Sequence, residues 1–160
     1  MKKYIHYGCT KFIREYFNPI RNANFIKPNG GFWASPVDAG LSWKDWCDNT
    51  ENRSWLNGGS FTFTLTEDAK VYHLYSVHDL LKLPENRNGF LSKLSDSNYF
   101  IDFEACYRSG IDAIELHLSD EKDKPEGFIN GLYWKLYGWD VDSILILNPD
   151  IIVMKGDKNE

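Results

Sequence analysis

The chain has 160 residues, 42% of them hydrophobic and 26% charged, with a formal net charge of -5. That length and balance suit a single domain over 1–154 with a core of its own, followed by a polar tail at 155–160. The acidic balance disfavours a protein that grips nucleic acid by charge, and no apolar run approaches the roughly 18 residues that a membrane span needs. The three cysteines, Cys9, Cys47 and Cys106, have neither disulfide-framework nor metal-ligand spacing. With no signal-like apolar run near the start, the expected setting is reducing and cytoplasmic.

Residues 3–7, "KYIHY", read as a first short strand. In "TKFIREYFNPI", Thr10 is placed to cap a helix whose apolar positions Phe12, Ile13, Tyr16 and Phe17 recur at helical spacing, limited by Pro19. "GGFWAS" is the next strand, and "SWKDWCDNT" predicts a short helix capped by Ser42 with Trp43 and Trp46 on one face. "SFTFTLTEDAKVYHLYS" alternates as two strands around a turn at Glu67 and Asp68. Phe61, Phe63 and Leu65 share one face, with Ser60, Thr62, Thr64 and Thr66 on the polar one. A brief helical segment, "VHDLLKL", precedes the polar "PENRNG". The helix around 103–107 stops at Gly110. "IDAIELHL" is a strand, "SDEKDKPEG" a charged loop, and "SILILNPDIIVM" a strand interrupted by Asn148-Pro149. Many short strands among short helices define an α+β domain. No phosphate-cradling or dinucleotide glycine motif is present.

Several residues have both a structural and a chemical reading. His6 is either a half-buried sheet donor or a ligand contact. Gly30 and Gly31 either turn the chain into a strand or let a ligand approach the backbone. Phe32 and Trp33 point to opposite faces of an extended segment, so one belongs to the core and the other to a possible aromatic slot, on the same face as Ser35. Acids stand at Asp112 and Glu115, and at Asp140 and Asp142 before the last apolar run. His73, His78 and His117 lack the spacing of a zinc motif, and no metal is expected. Cys47 has no histidine in recognisable relation to it.

Three of these landmarks together resemble the ADP-ribosyltransferase superfamily, in its histidine–aromatic–acid branch related to diphtheria toxin and the poly-ADP-ribose polymerases. "IHYGCT" looks like the early strand whose histidine grips the nicotinamide ribose of NAD, which sets His6 in that role with Gly8 and Thr10 after it. "GGFWAS" is similar to "Gly-hydrophobic-Tyr-Phe-Ala". Ala34 fixes the register and sets the stacking Tyr against Phe32, followed by Trp33. "GIDAIEL" and "WDVDSILILNPDII" resemble "Gly-Tyr-Asp-Gly-Ile" and "Asn-Glu-Tyr-Val-Val-Phe-Asn-Pro-Gln-Ile", with the catalytic acid set on Asp142 and the Asn-Pro on Asn148 and Pro149. The usual Tyr is thus Phe, and the usual Glu is Asp.

The resemblance implies a split β-sandwich with short flanking helices, and NAD as substrate. It implies cleavage of the nicotinamide–ribose bond, with transfer of ADP-ribose to a protein or nucleic-acid acceptor, in a bacterial or phage setting. Catalytic positions would be His6 and Asp142, with Asp140 and Glu115 as rival acids. NAD would contact His6, Gly8, Thr10, Gly31, Phe32, Trp33 and Ser35. The segment 119–138, with Phe128, Tyr133, Trp134 and Tyr137, stands where that family often has an acceptor-recognition turn, and its aromatics read equally well as exposed contacts or as core. The other readings are a noncatalytic interaction or immunity protein, and a degenerate or RNA 2'-phosphotransferase-like member of the same fold.

Overall fold

The computed structural model describes residues 1–122 and 130–154. The expected charged loop lies partly outside the described residues, and Phe128 and the tail 155–160 lie wholly outside them. Seven strands form one continuous sheet: β1 (Tyr4–Tyr7), β2 (Phe32–Pro36), β3 (Ser60–Leu65), β4 (Val71–Leu74), β5 (Ala113–Leu116), β6 (Ser143–Ile146) and β7 (Ile152–Met154), in the order β4-β5-β6-β2-β1-β3-β7. All neighbours are antiparallel except β4 and β5. Among the described residues five short helices accompany it: α1 (Trp43–Asp48), α2 (Val77–Leu80), α3 (Phe90–Leu94), α4 (Phe103–Arg108) and α5 (Leu132–Lys135).

The alternation in each strand sorts its side chains between two cores. On one face, Tyr4, Phe61, Phe63, Leu65, Ala34, Ala113, Ile144 and Ile146 pack together, with Phe32 against them. These residues come from both halves of the sheet, so that face is closed by the sheet itself. On the other face, Leu74, Ile114, Leu116 and Leu145 are covered by Leu80, Phe103, Cys106, Leu132, Leu136 and Trp139 from the helices and their flanks. The hydroxyl-bearing face of β3 is the exposed one, as its alternation requires.

β1 and β2 pair only through Tyr4↔Pro36 and Ile5↔Ser35. Beyond that point each keeps its other neighbour: β1 pairs with β3 through Tyr7, and β2 pairs with β6 from Phe32 onward. The sheet therefore opens between β1 and β2.

Two expectations need correction. The segment 10–17 forms only a 3-10 turn, Arg14–Tyr16, without a side-chain cap. Its bonds reach just three residues, from Tyr16 N–H to the Ile13 carbonyl and from Phe17 N–H to that of Arg14. Phe12 leaves the helical stripe to pack edge-on against Phe32 at 5.1 Å. The two strands around Glu67 and Asp68 form no hairpin: β3 pairs with β1 and β7, while β4 pairs with β5 in the other half. Two helices, α3 and α5, lie where no regular structure was expected.

Candidate functional site

The opening between β1 and β2 is a cleft of about 420 Å³, lined by Ile5, His6, Tyr7, Lys27, Trp33, Ala34, Ser35, Trp43, Trp55, Trp139, Asp140, Val141 and Ser143. That volume falls within the roughly 300–1,000 Å³ typical of small-molecule sites.

His6 stands where the ladder stops. Its Nδ1 lies 2.7 Å from the Trp33 carbonyl oxygen. A carbonyl only accepts, so Nδ1 carries the hydrogen and Nε2 is left as an acceptor. The ring stacks on Phe32 at 4.5 Å and touches Phe61 at 5.5 Å. Burial pushes its pKa below the ordinary imidazole value and so favours the neutral ring, while the bond to Trp33 pulls the other way.

The cleft walls are aromatic. Trp33 meets Trp139 edge-on at 4.8 Å, and the Lys27 ammonium lies 5.4 Å from the centre of its ring. Trp43 and Trp55, also in the lining, stack with each other and with Trp46, with centroids 5.0 to 5.9 Å apart and planes within 26°. The stack follows from local chemistry. Ser42 and Asp45 close a capping box that starts α1, the i, i+3 spacing aligns Trp43 with Trp46, and the next 3-10 turn, Arg53–Leu56, supplies Trp55. Ser35 ties this layer to the sheet by accepting from the Trp43 N–H at 3.2 Å.

Among the residues singled out from sequence, His6, Trp33, Ser35 and Asp140 come together in the cleft. Phe32 faces the closed core instead, beside His6, Phe12, Phe61 and Phe63. Gly31 (φ +71°) is absent from the cleft lining. A Cβ there would meet Leu145 Cδ1 at 2.7 Å, and its N–H donates to the Asn18 carbonyl at 2.8 Å. Its neighbour Gly30 (φ +72°) lies under the Asn18–Pro19 backbone. The close approach that this glycine pair permits is therefore intramolecular. Gly8 donates to the Gly59 carbonyl at 2.9 Å, and Thr10 abuts Gly59; neither lines the cleft.

The acids separate in three directions. Asp142 is buried, and its carboxylate accepts from Ser119 N–H at 2.8 Å, from the Ser119 hydroxyl, and from Leu41 N–H at 3.2 Å. It ties three chain segments together outside the cleft lining. Counted back from Asn148-Pro149, the acid of the resembled motif falls on Ser143, one residue beyond Asp142, and it is Ser143 that lines the cleft. Asp140 also lines it, partly exposed. Glu115 is fully buried elsewhere, held by Lys2 Nζ at 2.5 Å and the Tyr4 hydroxyl at 3.0 Å. Its carboxylate, His73 and His117 offer three donor atoms within 4.8 Å of one another. Sequence spacing hid this group because the two histidines come from neighbouring parallel strands.

Trp43, Trp55, Trp139 and Lys27 were not singled out as cleft residues. The one legible signal was the tryptophan pair in "WKDWC", which reads equally well as helix packing. No family model matches the chain, and no curated protein or solved structure is significantly similar to it. No helix among the described residues is long and apolar enough to cross a membrane.

Proposed function

We propose that the cleft binds NAD and that the protein is a mono-ADP-ribosyltransferase of the split-sandwich type. The observation that carries this reading is the opening of the sheet at His6, where a neutral imidazole is fixed by the Trp33 carbonyl and keeps an acceptor nitrogen for a ligand hydroxyl. A ribose supplies such hydroxyls. Flat indole walls suit nicotinamide or adenine by stacking, and Lys27 at the rim suits a pyrophosphate. As nicotinamide leaves, positive charge grows on the ribose carbon. A carboxylate close by in a water-poor cleft stabilises that charge. Asp140 is the acid in the cleft lining, and it takes this role in place of Asp142. Ribose positioning by His6 is orientation rather than proton transfer.

Ser143, standing where the resembled motif has its acid, favours a second reading, in which the cleft binds NAD without transferring it. One experiment separates the two. Purified protein is incubated with NAD, with and without cell extract, while free nicotinamide and the intact masses of acceptors are followed. Transfer predicts nicotinamide release, a mass increment of one ADP-ribose, and loss of both in His6→Ala and Asp140→Asn. Binding without release, detected by calorimetry and weakened in Trp55→Ala, supports the second reading. Neither binding nor release overturns both.

A further inference from the structure

We propose that His73, Glu115 and His117 form a binding site for one divalent transition-metal ion of the zinc class, separate from the cleft. The three residues arise from one piece of topology. β4 and β5 run parallel with His73 opposite Glu115. His117 follows two residues after Glu115, and its N–H continues the ladder by donating to the Leu74 carbonyl at 3.0 Å. The side chains converge: His73 Nδ1 lies 2.9 Å from His117 Nε2 and 3.6 Å from Glu115 Oε2, and His117 Nε2 lies 3.8 Å from Glu115 Oε1. An ion about 2.1 Å from each donor spans separations up to ~4.2 Å, and each histidine nitrogen lies within that span of the other and of one Glu115 oxygen.

The surroundings are those of a prepared ligand set. The Tyr4 hydroxyl and the Lys2 ammonium fix the two Glu115 oxygens, as hydrogen bonds commonly orient carboxylates that bind metals. Tyr75 lies flat against His117, with centroids 3.9 Å apart and planes within 9°, and sets the angle of that ring. The Lys122 ammonium caps the outer face of Tyr75 at 4.4 Å. Glu115 is sealed from solvent while the His73 side chain is 43% exposed, so an ion enters from the His73 side. Two imidazole nitrogens and one carboxylate select zinc-like ions over calcium or magnesium, which prefer oxygen alone. Without an ion, one ring N–H donates to the facing histidine nitrogen; on binding, the donor ring carries that proton on its other nitrogen, so that both facing nitrogens present lone pairs to the metal. Three protein donors leave a coordination position open to water or a small ligand. None of the three residues lines the cleft, so this site and the NAD reading stand or fall separately.

The test uses tag-free, chelator-stripped protein titrated with Zn²⁺ in competition with a chromophoric chelator, and then with Co²⁺. The expected result is one equivalent bound with Kd at or below about 10 μM, and a visible Co²⁺ spectrum of four-coordinate intensity without thiolate charge transfer. His73→Ala and His117→Ala each weaken binding about 10-fold or more, while His78→Ala, outside the cluster, leaves it unchanged. His73 is exposed on an edge strand, so its variant keeps the fold, which circular dichroism verifies. Absence of binding at 100 μM Zn²⁺ overturns the proposal. So does binding that survives both substitutions, or a Co²⁺ spectrum showing cysteine ligation.

Discussion

Replacing Asp142 with Asn tests whether its carboxylate is a clamp or a catalyst. The group is buried and accepts three hydrogen bonds, two from backbone N–H groups of Leu41 and Ser119 and one from the Ser119 hydroxyl. Asn turns one acceptor oxygen into a donor. If the amide nitrogen takes the Oδ1 position it faces Ser119 N–H, and if it takes Oδ2 it faces Leu41 N–H. The serine hydroxyl can rotate to accept, but one backbone N–H loses its partner in either orientation, and the others lose a charged acceptor. Bonds to charged groups contribute about 1.5–3 kcal/mol each, and an orphaned buried donor costs about 1–3 kcal/mol. The net expectation is a loss of about 3 kcal/mol. For a chain of this size that corresponds to roughly 6–12 °C in Tm, or about 1–2 M in the urea midpoint. Urea unfolding followed by tryptophan fluorescence is the assay, with Asp140→Asn as control. Asp140 is partly exposed, and its variant should lie within about 0.5 kcal/mol of the parent. A midpoint for Asp142→Asn within about 0.2 M of the parent, at equal slope, would refute the clamp and return the residue to the list of candidate catalysts.

Gly31→Ala should lose about 2–4 kcal/mol, because it combines a left-handed backbone with a Cβ placed 2.7 Å from Leu145 Cδ1. Gly138→Ala has a similarly positive φ of +98° and nothing within 4 Å of the added carbon, so it should lose only about 1–2 kcal/mol; equal losses in urea titrations would remove the packing argument. His6 has a folded-state pKa below its unfolded value of about 6.5. The unfolded chain therefore takes up this proton first, and the stability linked to the neutral ring is complete above about pH 6.5 and lost as pH falls through the folded value. The stability difference between wild type and His6→Gln should shrink from pH 7.5 to pH 5; a constant difference contradicts the burial of a neutral ring.

Strand existence was legible and strand pairing was not. The two-residue alternation around Phe61, Phe63 and Leu65, or between Phe32 and Trp33, is imposed locally by a sheet with two unlike faces. It sorted Trp33 and Ser35 onto one side, and both line the cleft. Nothing local says that β3 and β4, six residues apart, join different halves of the sheet, because that choice is made by partners such as β7 and β5 far along the chain. The same limit applies to the site. The cleft wall joins Trp33 with Trp43, Trp55 and Trp139, and the acids Asp140, Asp142 and Glu115 look alike in sequence until their neighbours are known. The helix expected at 10–17 failed for a related reason. Its apolar spacing was real, but Phe12 gains more by packing on Phe32 than by staying in a helical stripe whose Tyr16 is 78% exposed.

The stack of Trp43, Trp46 and Trp55 has an optical consequence. Nearly parallel indoles this close share their electronic excitations, and coupled transitions give a paired positive and negative band in ultraviolet circular dichroism. Trp43 and Trp55 line the cleft, and Trp46 contacts both of them. A ligand in the cleft would meet Trp43 and Trp55, the two members of the coupled set that line it. Occupancy should change the shape of that band and the fluorescence yield together, which gives the proposed NAD titration a label-free readout.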